Sequence, residues 1–572
     1  MVTILPASAS TSNSRQWLTP YEKSKGLETT TYHEAIEYYQ SLAKQFPEIN
    51  ISAYGKTDSG EPLHLVLYSA DRDFDIASIK KKARPLLLIN NGIHPGEPDG
   101  IDAAMMLMRN IALKEQLANE LQNVVLAVIP VYNIDGALNR NSFSRANQIG
   151  PRAYGFRGNA RNYDLNRDFI KTETLNMRAF AGIFHQLDPD VLLDTHVSNG
   201  ADYPYVMTLI ATQKDKLGEP LGSYMDEQML PALFKQMAAT PYPMTPYVNV
   251  WNNTPDQGWE QFMDWPRYSS GYAALFNTIS MMTETHMLKT HAQRVEATYA
   301  FMVNLIQYLS ANGKTLIKIR QEAKVQTAKA KKIPLDWLLD KSRYESFEFM
   351  AYTATTIPSR VTTGERLFYD RSKPYTKIIS FYKHYTPTLF IEKPKAYIFS
   401  QAWGNIAELL ELNGVKITRL EKAVELDVEV YSIEDFKTVQ APFEGHYLHS
   451  DVKLHTASKK ILFNKGDYQV NLGQATDRYI MEVLEPQGHD SFFAWNFFDS
   501  ILQAKEHYSA YVFEDLAEEL LKQDKTLRKR FDEKLAADEN FRKKPDEQLD
   551  FIYEHSPYFE KEYRRYPIYR VK

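Results

Sequence analysis

The chain has 572 residues, a formal net charge of −5, 44% hydrophobic and 24% charged residues, and no cysteine. That length calls for two to four domains, the balance is that of a folded globular protein rather than a disordered one, and so mild a charge gives no footing for a nucleic-acid partner. With no cysteine, disulfides, thiol nucleophiles and thiolate metal sites are excluded, so any metal must sit on histidines and carboxylates.

The opening "MVTILPASAS" has a short apolar patch and small residues but no basic segment, and it reads as a truncated or absent export signal. Residues 1–20 are expected to be a flexible segment, and a periplasmic or secreted location is favoured over a cytoplasmic one. No apolar run reaches the ~20 residues that a membrane span needs; the longest lies near Val124 to Tyr132. From Thr31, Ile36, Tyr39, Ala43 and Phe46 share a helical face, with Thr31 and Glu34 in capping-box spacing and Pro47 as a stop. "INISAYGKT" and "PLHLVLYSA" follow as paired strands across the turn-rich "DSGEP".

Next, "PLLLIN", "GIDAAMMLMRNIAL" and "NVVLAVIPVYN" make a strand–helix–strand unit. Two more apolar strands end in polar residues, "DVLLDTH" at Asp190 to His196 and "NTISMMTETH" at Asn277 to His286. In an open α/β sheet such strand ends converge on one crevice. The fold class expected is α/β, a mixed central sheet flanked by helices, followed by a smaller α/β or α+β region with a helical C-terminal end. The boundaries expected are 21–320 for the first domain, 321–340 for a Lys-rich linking element ahead of Pro334 and its flank, and 341–572 for a region of unknown role.

The first apolar strand runs into "NNGIHPGEPDG", where Pro95 restricts and Gly96 permits the bend that sets His94 and Glu97 three residues apart. A zinc site with an open position needs three protein ligands; His94 and Glu97 offer two, and His196 is the natural third. A lone H-x-x-E is more often a turn than a site. The balance changes with "FRGNARNYDLNRDF", Phe156 to Phe169, whose arginines suit carboxylate recognition and the stabilisation of charge on a carbonyl oxygen. His286 and His291 read as structural, as do His446 and His449, and no G-x-S-x-G elbow supports a serine nucleophile.

The ordered set of H-x-x-E, aromatic-Arg, "DLNRDF", a lone His after a strand, and "RYSSGYAALFNTISMMTE" ending in Glu284 resembles the carboxypeptidase A type of zinc metallocarboxypeptidase, over roughly Tyr21 to Leu309. The resemblance implies one zinc per chain on His94, Glu97 and His196, with Glu284 as general base. It implies that Arg157 polarises the scissile carbonyl, that Asn166 and Arg167 clamp a C-terminal carboxylate, and that Asp164 orients the first zinc histidine. A tyrosine before the Glu284 strand is implied to cover the substrate; Tyr268 and Tyr272 both lie there, and Tyr272 is preferred. The function so implied is hydrolysis of the C-terminal residue of peptides or proteins through a metal-activated water; cell-wall peptides are a separate candidate substrate that the sequence leaves open. The alternatives are a related N-acyl amino acid deacylase, or a non-catalytic binding protein on the same fold. Residue preference and oligomeric state stay open.

Overall fold

The structure, a computed structural model, describes residues 14–572. Of the segment expected to be flexible, residues 1–20, residues 1–13 with the expected signal remnant lie outside the described residues, and the rest is packed: Trp17 lies against Tyr38 and Phe46 with ring centroids 6.1 and 6.0 Å away, and Thr19 is buried. The first long helix, Tyr32–Gln45, starts where the capping box asks: Thr31 accepts from the Glu34 N–H, and the Glu34 carboxylate accepts from the Thr31 N–H. Its Ile36, Tyr39 and Leu42 are buried.

The strands that build the site are β1 (Ile49–Lys56), β2 (Pro62–Tyr68), β3 (Leu86–Asn90), β4 (Val125–Ile129), β5 (Val191–Ser198), β6 (Met207–Ala211), β7 (Met244–Pro246), β8 (Trp259–Glu260) and β9 (Ile279–His286). All except β8 join one eight-stranded sheet in the order β1-β2-β4-β3-β5-β9-β6-β7. The centre, β4-β3-β5-β9, is parallel, whereas β1-β2-β4 and β9-β6 pair antiparallel, so the sheet is mixed. Every residue of β3, β4 and β5 is buried. Continuous burial is what helices on both faces of a parallel sheet produce, and it explains why these strands read as unbroken aliphatic runs rather than alternating ones.

The helix His291–Lys329 spans 39 residues and crosses the boundary expected at residue 320. Arg320 is fully buried inside it; Nε donates to the Asn277 carbonyl at 2.8 Å, and the guanidinium also pairs with Asp188 and Asp190. Residues 321–340, expected as a helical, Lys-rich linking element, are the last turns of this helix followed by β10 (Lys332–Leu339). Two long β-hairpins were not foreseen. The strands β11 (Glu345–Pro358) and β12 (Glu365–Tyr382) form the first, which pairs onto β8, while β13 (Tyr385–Glu392) pairs with β10. The second, Val424–Thr438 with His449–Phe463, belongs to a six-stranded sheet that the chain's last strand, Tyr569–Val571, completes. Between them the helices Ala510–Gln523, Lys525–Ala537 and Pro545–Glu554 close over Phe513, Leu527 and Ile552.

Candidate metal centre and substrate cleft

Beyond β3 the backbone turns out of the sheet at Gly92, which adopts φ +69°, a conformation that favours glycine. The next turn is closed by the Glu97 N–H donating to the His94 carbonyl at 2.8 Å, so both side chains face one way. Gly96 is not in the left-handed region; the bend expected to need its flexibility does not use it. The third residue arrives on β5. Register in the parallel pair of β5 and β9 sets His196 beside Glu284, and Asp194 beside Met282, so alternate side chains of both strands face the same crevice.

His94 Nδ1, Glu97 Oε2 and His196 Nδ1 converge: the two nitrogens are 3.2 Å apart, and Oε2 lies 3.4 Å from the first and 3.1 Å from the second. The far side of each ring is held by a carboxylate, His94 Nε2 by Asp164 Oδ1 at 2.8 Å and His196 Nε2 by Asp194 Oδ2 at 2.9 Å. Those contacts place each ring proton on Nε2 and turn two Nδ1 lone pairs toward each other and toward a carboxylate. Converging donors with no proton to share suit a cation, and two imidazoles with a carboxylate are ordinary zinc ligands. These three residues are the potential metal-holding cluster found among the described residues.

Charge around the cluster is heavily biased. Burial resists ionisation of Glu97, yet Arg145 and then His94 hold its carboxyl well below the usual range. Asp164 is likewise held well below, against its own burial, by His94 and Arg157. Glu284 goes the other way: burial, reinforced by the neighbouring Glu97 charge, pushes its carboxyl up to about 8, while His196 and Arg157 oppose the shift. Among the described residues no donor holds the Glu284 side chain.

The cleft beside this cluster has a volume of about 550 Å³. Arg157 is folded against it, with Nε 3.0 Å from Asp164 Oδ2 and Nη1 3.5 Å from Glu97 Oε1. Arg167 stacks 4.4 Å from the Tyr268 ring centre, and its Nη1 donates to the Asn166 carbonyl at 2.9 Å. The Asn166 side-chain oxygen accepts from the Ser269 N–H at 3.1 Å, which ties this loop to the start of the helix Ser269–Leu275.

Tyr272 is placed elsewhere than expected. It is fully buried one turn into that helix, donating to Asn413 Oδ1 at 2.6 Å and lying 2.9 Å from His185 Nε2 among Phe169, Phe184 and Phe276. Tyr268, at the helix start, lines the cleft. The four histidines read as structural from the sequence are engaged. His286 Nε2 donates to the Ala201 carbonyl at 2.8 Å and Nδ1 accepts from the Leu288 N–H at 3.1 Å; His291 lies between Asp99 and Asp102; His446 meets Glu173 and His449 meets Asp499.

Sequence reasoning missed Asp194, although its place two residues before His196 on one strand puts both on the same face and could have shown it. It also missed Arg145, 48 residues from Glu97, and two residues of the C-terminal half. Glu444 Oε2 accepts from the Asp164 N–H at 2.8 Å, and Asp490 takes the Arg267 guanidinium at 2.7 Å and its N–H at 2.9 Å, next to Tyr268. No local pattern announces those contacts.

Residues 35–191 match the zinc carboxypeptidase family. The match takes in His94, Glu97, Arg157, Asp164, Asn166 and Arg167, and ends before His196 and Glu284. Carboxypeptidase 2 of Trichophyton rubrum is 20% identical over 432 residues, 71% of this chain and 72% of that protein. Among solved structures, a metallo-carboxypeptidase from Burkholderia cenocepacia aligns at 17% identity with a TM-score of 0.36, covering 50% of this chain and 70% of that one. Carboxypeptidase A from Helicoverpa armigera aligns at 14% identity with a TM-score of 0.37, covering 50% and 74%.

Proposed function

We propose that the cleft is that of a zinc-dependent hydrolase that removes the C-terminal residue of peptides, a reading supported by the match of residues 35–191 to the zinc carboxypeptidase family. The observation that carries this reading is the meeting of His94, Glu97 and His196 with Glu284 on the neighbouring strand, in a cleft that Arg167 also lines.

His94, Glu97 and His196 would hold the zinc, which when bound supplies a Lewis acid and lowers the pKa of water at the site. Glu284, free of protein donors, takes a proton on its carboxylate and returns it to the departing amine. Arg167, stacked on Tyr268, presents its remaining guanidinium donors to the terminal carboxylate, fixing the scissile bond relative to Glu284. Arg157 offers its donors where negative charge develops on the carbonyl oxygen; it can do so by turning from Asp164, since 44% of its side chain is exposed. Ile210, Phe262 and Met282 line the cleft with apolar surface that keeps bulk water from the bond being cut.

The test is zinc content together with mass spectrometry of peptide mixtures bearing free or amidated C-termini. One zinc per chain and ladders shortened from free C-termini alone are expected, and Arg167→Ala should raise KM for free-acid peptides by about 100-fold, the scale of a lost charge-assisted pair. Equal cleavage of both peptide sets would remove the carboxylate clamp from the reading, and release of acyl groups from N-acyl amino acids instead would replace it with the deacylase.

A further inference from the structure

Gly96 lies between the two ligands of the His94–Glu97 turn, and what its position requires is empty space. A Cβ there would stand 2.7 Å from Arg145 Cδ. The Arg145 side chain passes through that gap, and its Nη1 donates to Glu97 Oε1 at 2.9 Å. It is fastened along its length: the Arg145 N–H donates to the Tyr154 hydroxyl at 3.2 Å, and Nε donates to Gln148 Oε1 at 2.6 Å. The Gln148 amide in turn donates back to the Gly96 carbonyl at 2.8 Å and to that of Gly150 at 3.1 Å. Arginine and turn are thus closed into one hydrogen-bonded unit.

The two oxygens of Glu97 consequently have different surroundings. Oε1 faces guanidinium groups, Arg145 at 2.9 Å and Arg157 at 3.5 Å. Oε2 accepts from the Val197 N–H at 2.9 Å and faces both histidine Nδ1 atoms. A carboxylate with one oxygen tied down loses little rotational freedom when the other takes a metal.

We propose that Arg145 is a positioning residue of the metal centre: by holding Oε1 of Glu97 across the gap left by Gly96, it presents Oε2 alone to the ion. This inference rests on the reading of His94, Glu97 and His196 as zinc ligands. It assigns a job to Gly96 that is steric rather than conformational, and it couples two residues 49 positions apart in the sequence.

The experiment is zinc affinity by competition with a colorimetric chelator, for the wild-type protein, Arg145→Ala, Arg145→Lys, Gly96→Ala and the double variant of Gly96→Ala with Arg145→Ala. Loss of a partner behind a metal ligand typically weakens binding about 10- to 100-fold, which is the expectation for Arg145→Ala, with Arg145→Lys losing less. Gly96→Ala should weaken zinc in the same direction, because its methyl displaces the arginine, and the double variant should be no weaker than Arg145→Ala. The zinc-free Arg145→Ala protein loses the arginine's bonds to Glu97 and Gln148 and should melt below wild type, but zinc-free melts across the variants should not follow their ranking in zinc affinity. Wild-type affinity in Arg145→Ala, independent losses that multiply in the double variant, or a zinc-free melt that drops in step with affinity would each overturn the role of Arg145. A wild-type protein that takes up no zinc would overturn the ligand set itself.

Discussion

At the scale of single residues, three carboxylates around the histidine pair have three fates set by their neighbours. Glu97 is surrounded by arginine and histidine and stays ionised, Asp194 is bound to a ring nitrogen, and Glu284 is left without a donor and is pushed up to about 8. A carboxyl that opens to the cleft with no donor of its own is suited to moving a proton. Glu284→Gln keeps the shape and removes the base, so it should retain zinc at the wild-type level while turnover falls at least 100-fold; retained turnover would move the proton transfer to another group. Two buried histidines that take no part in that proton transfer give a second prediction. Burial holds His185 and His286 down to about 4, and the His286 nitrogens are committed as one donor and one acceptor, the neutral form. A histidine depressed in the fold contributes stability that is present above its unfolded value near 6.5 and is lost as pH falls toward 4. At pH 5 each costs about 2 kcal/mol. Denaturant midpoints at pH 7 and pH 5 should therefore separate less in His185→Gln than in wild type, by about 2 kcal/mol, and an unchanged separation would place the acid sensitivity elsewhere.

At the scale of elements, the site depends on a helix and a strand approaching each other without a side chain between them. Gly100, at the start of the helix Asp99–Ala112, lies against β5 so closely that a Cβ would sit 2.0 Å from Thr195 Oγ1 and 2.5 Å from Asn91 Oδ1. Thr195 adjoins His196, and Asn91 opens the turn that carries His94. Gly100→Ala would force helix and strand apart; overpacking of this kind costs about 1–3 kcal/mol. The expected result is a lower melting temperature together with weakened zinc binding, read by calorimetry and chelator competition. A melt unchanged from wild type would mean that the helix shifts at no cost.

At the scale of the whole molecule, the C-terminal half is not an appendage. One contiguous apolar core runs from Tyr21 to Ile568 and includes Tyr397, Tyr479 and Trp495 beside Phe184 and Phe276. Buried polar ties cross the same seam, among them Arg267 with Asp490 and Tyr272 with Asn413. Removing one side of such a seam exposes apolar surface and strands buried charge. A chain cut after residue 340 should accordingly aggregate or elute as a swollen species in size-exclusion chromatography, and a compact, zinc-binding fragment would show that the first half closes its own core. The Glu444 contact gives the second half a place behind the loop that carries Asp164, Asn166 and Arg167.

The sequence by itself determined what is local. The capping box at Thr31, the aliphatic parallel strands, and the His94–Glu97 turn follow from spacings of two to four residues, because backbone geometry alone sets which side chains share a face. The ordered motifs extended this to the position of Glu284. Tertiary structure decided what depends on closing the chain over long separations. Tyr268 and Tyr272 stand four residues apart, and only the packing of their helix against Phe169 and Phe184 sends the second into the core and leaves the first at the cleft. Arg145 reaches Glu97, and Glu444 reaches Asp164, through contacts that no periodicity encodes, since loop closure places few constraints on sequence between the contacting ends. The same holds for residue 320, where buried Arg320 ties the Lys-rich helical stretch back to Asp188, Asp190 and Asn277.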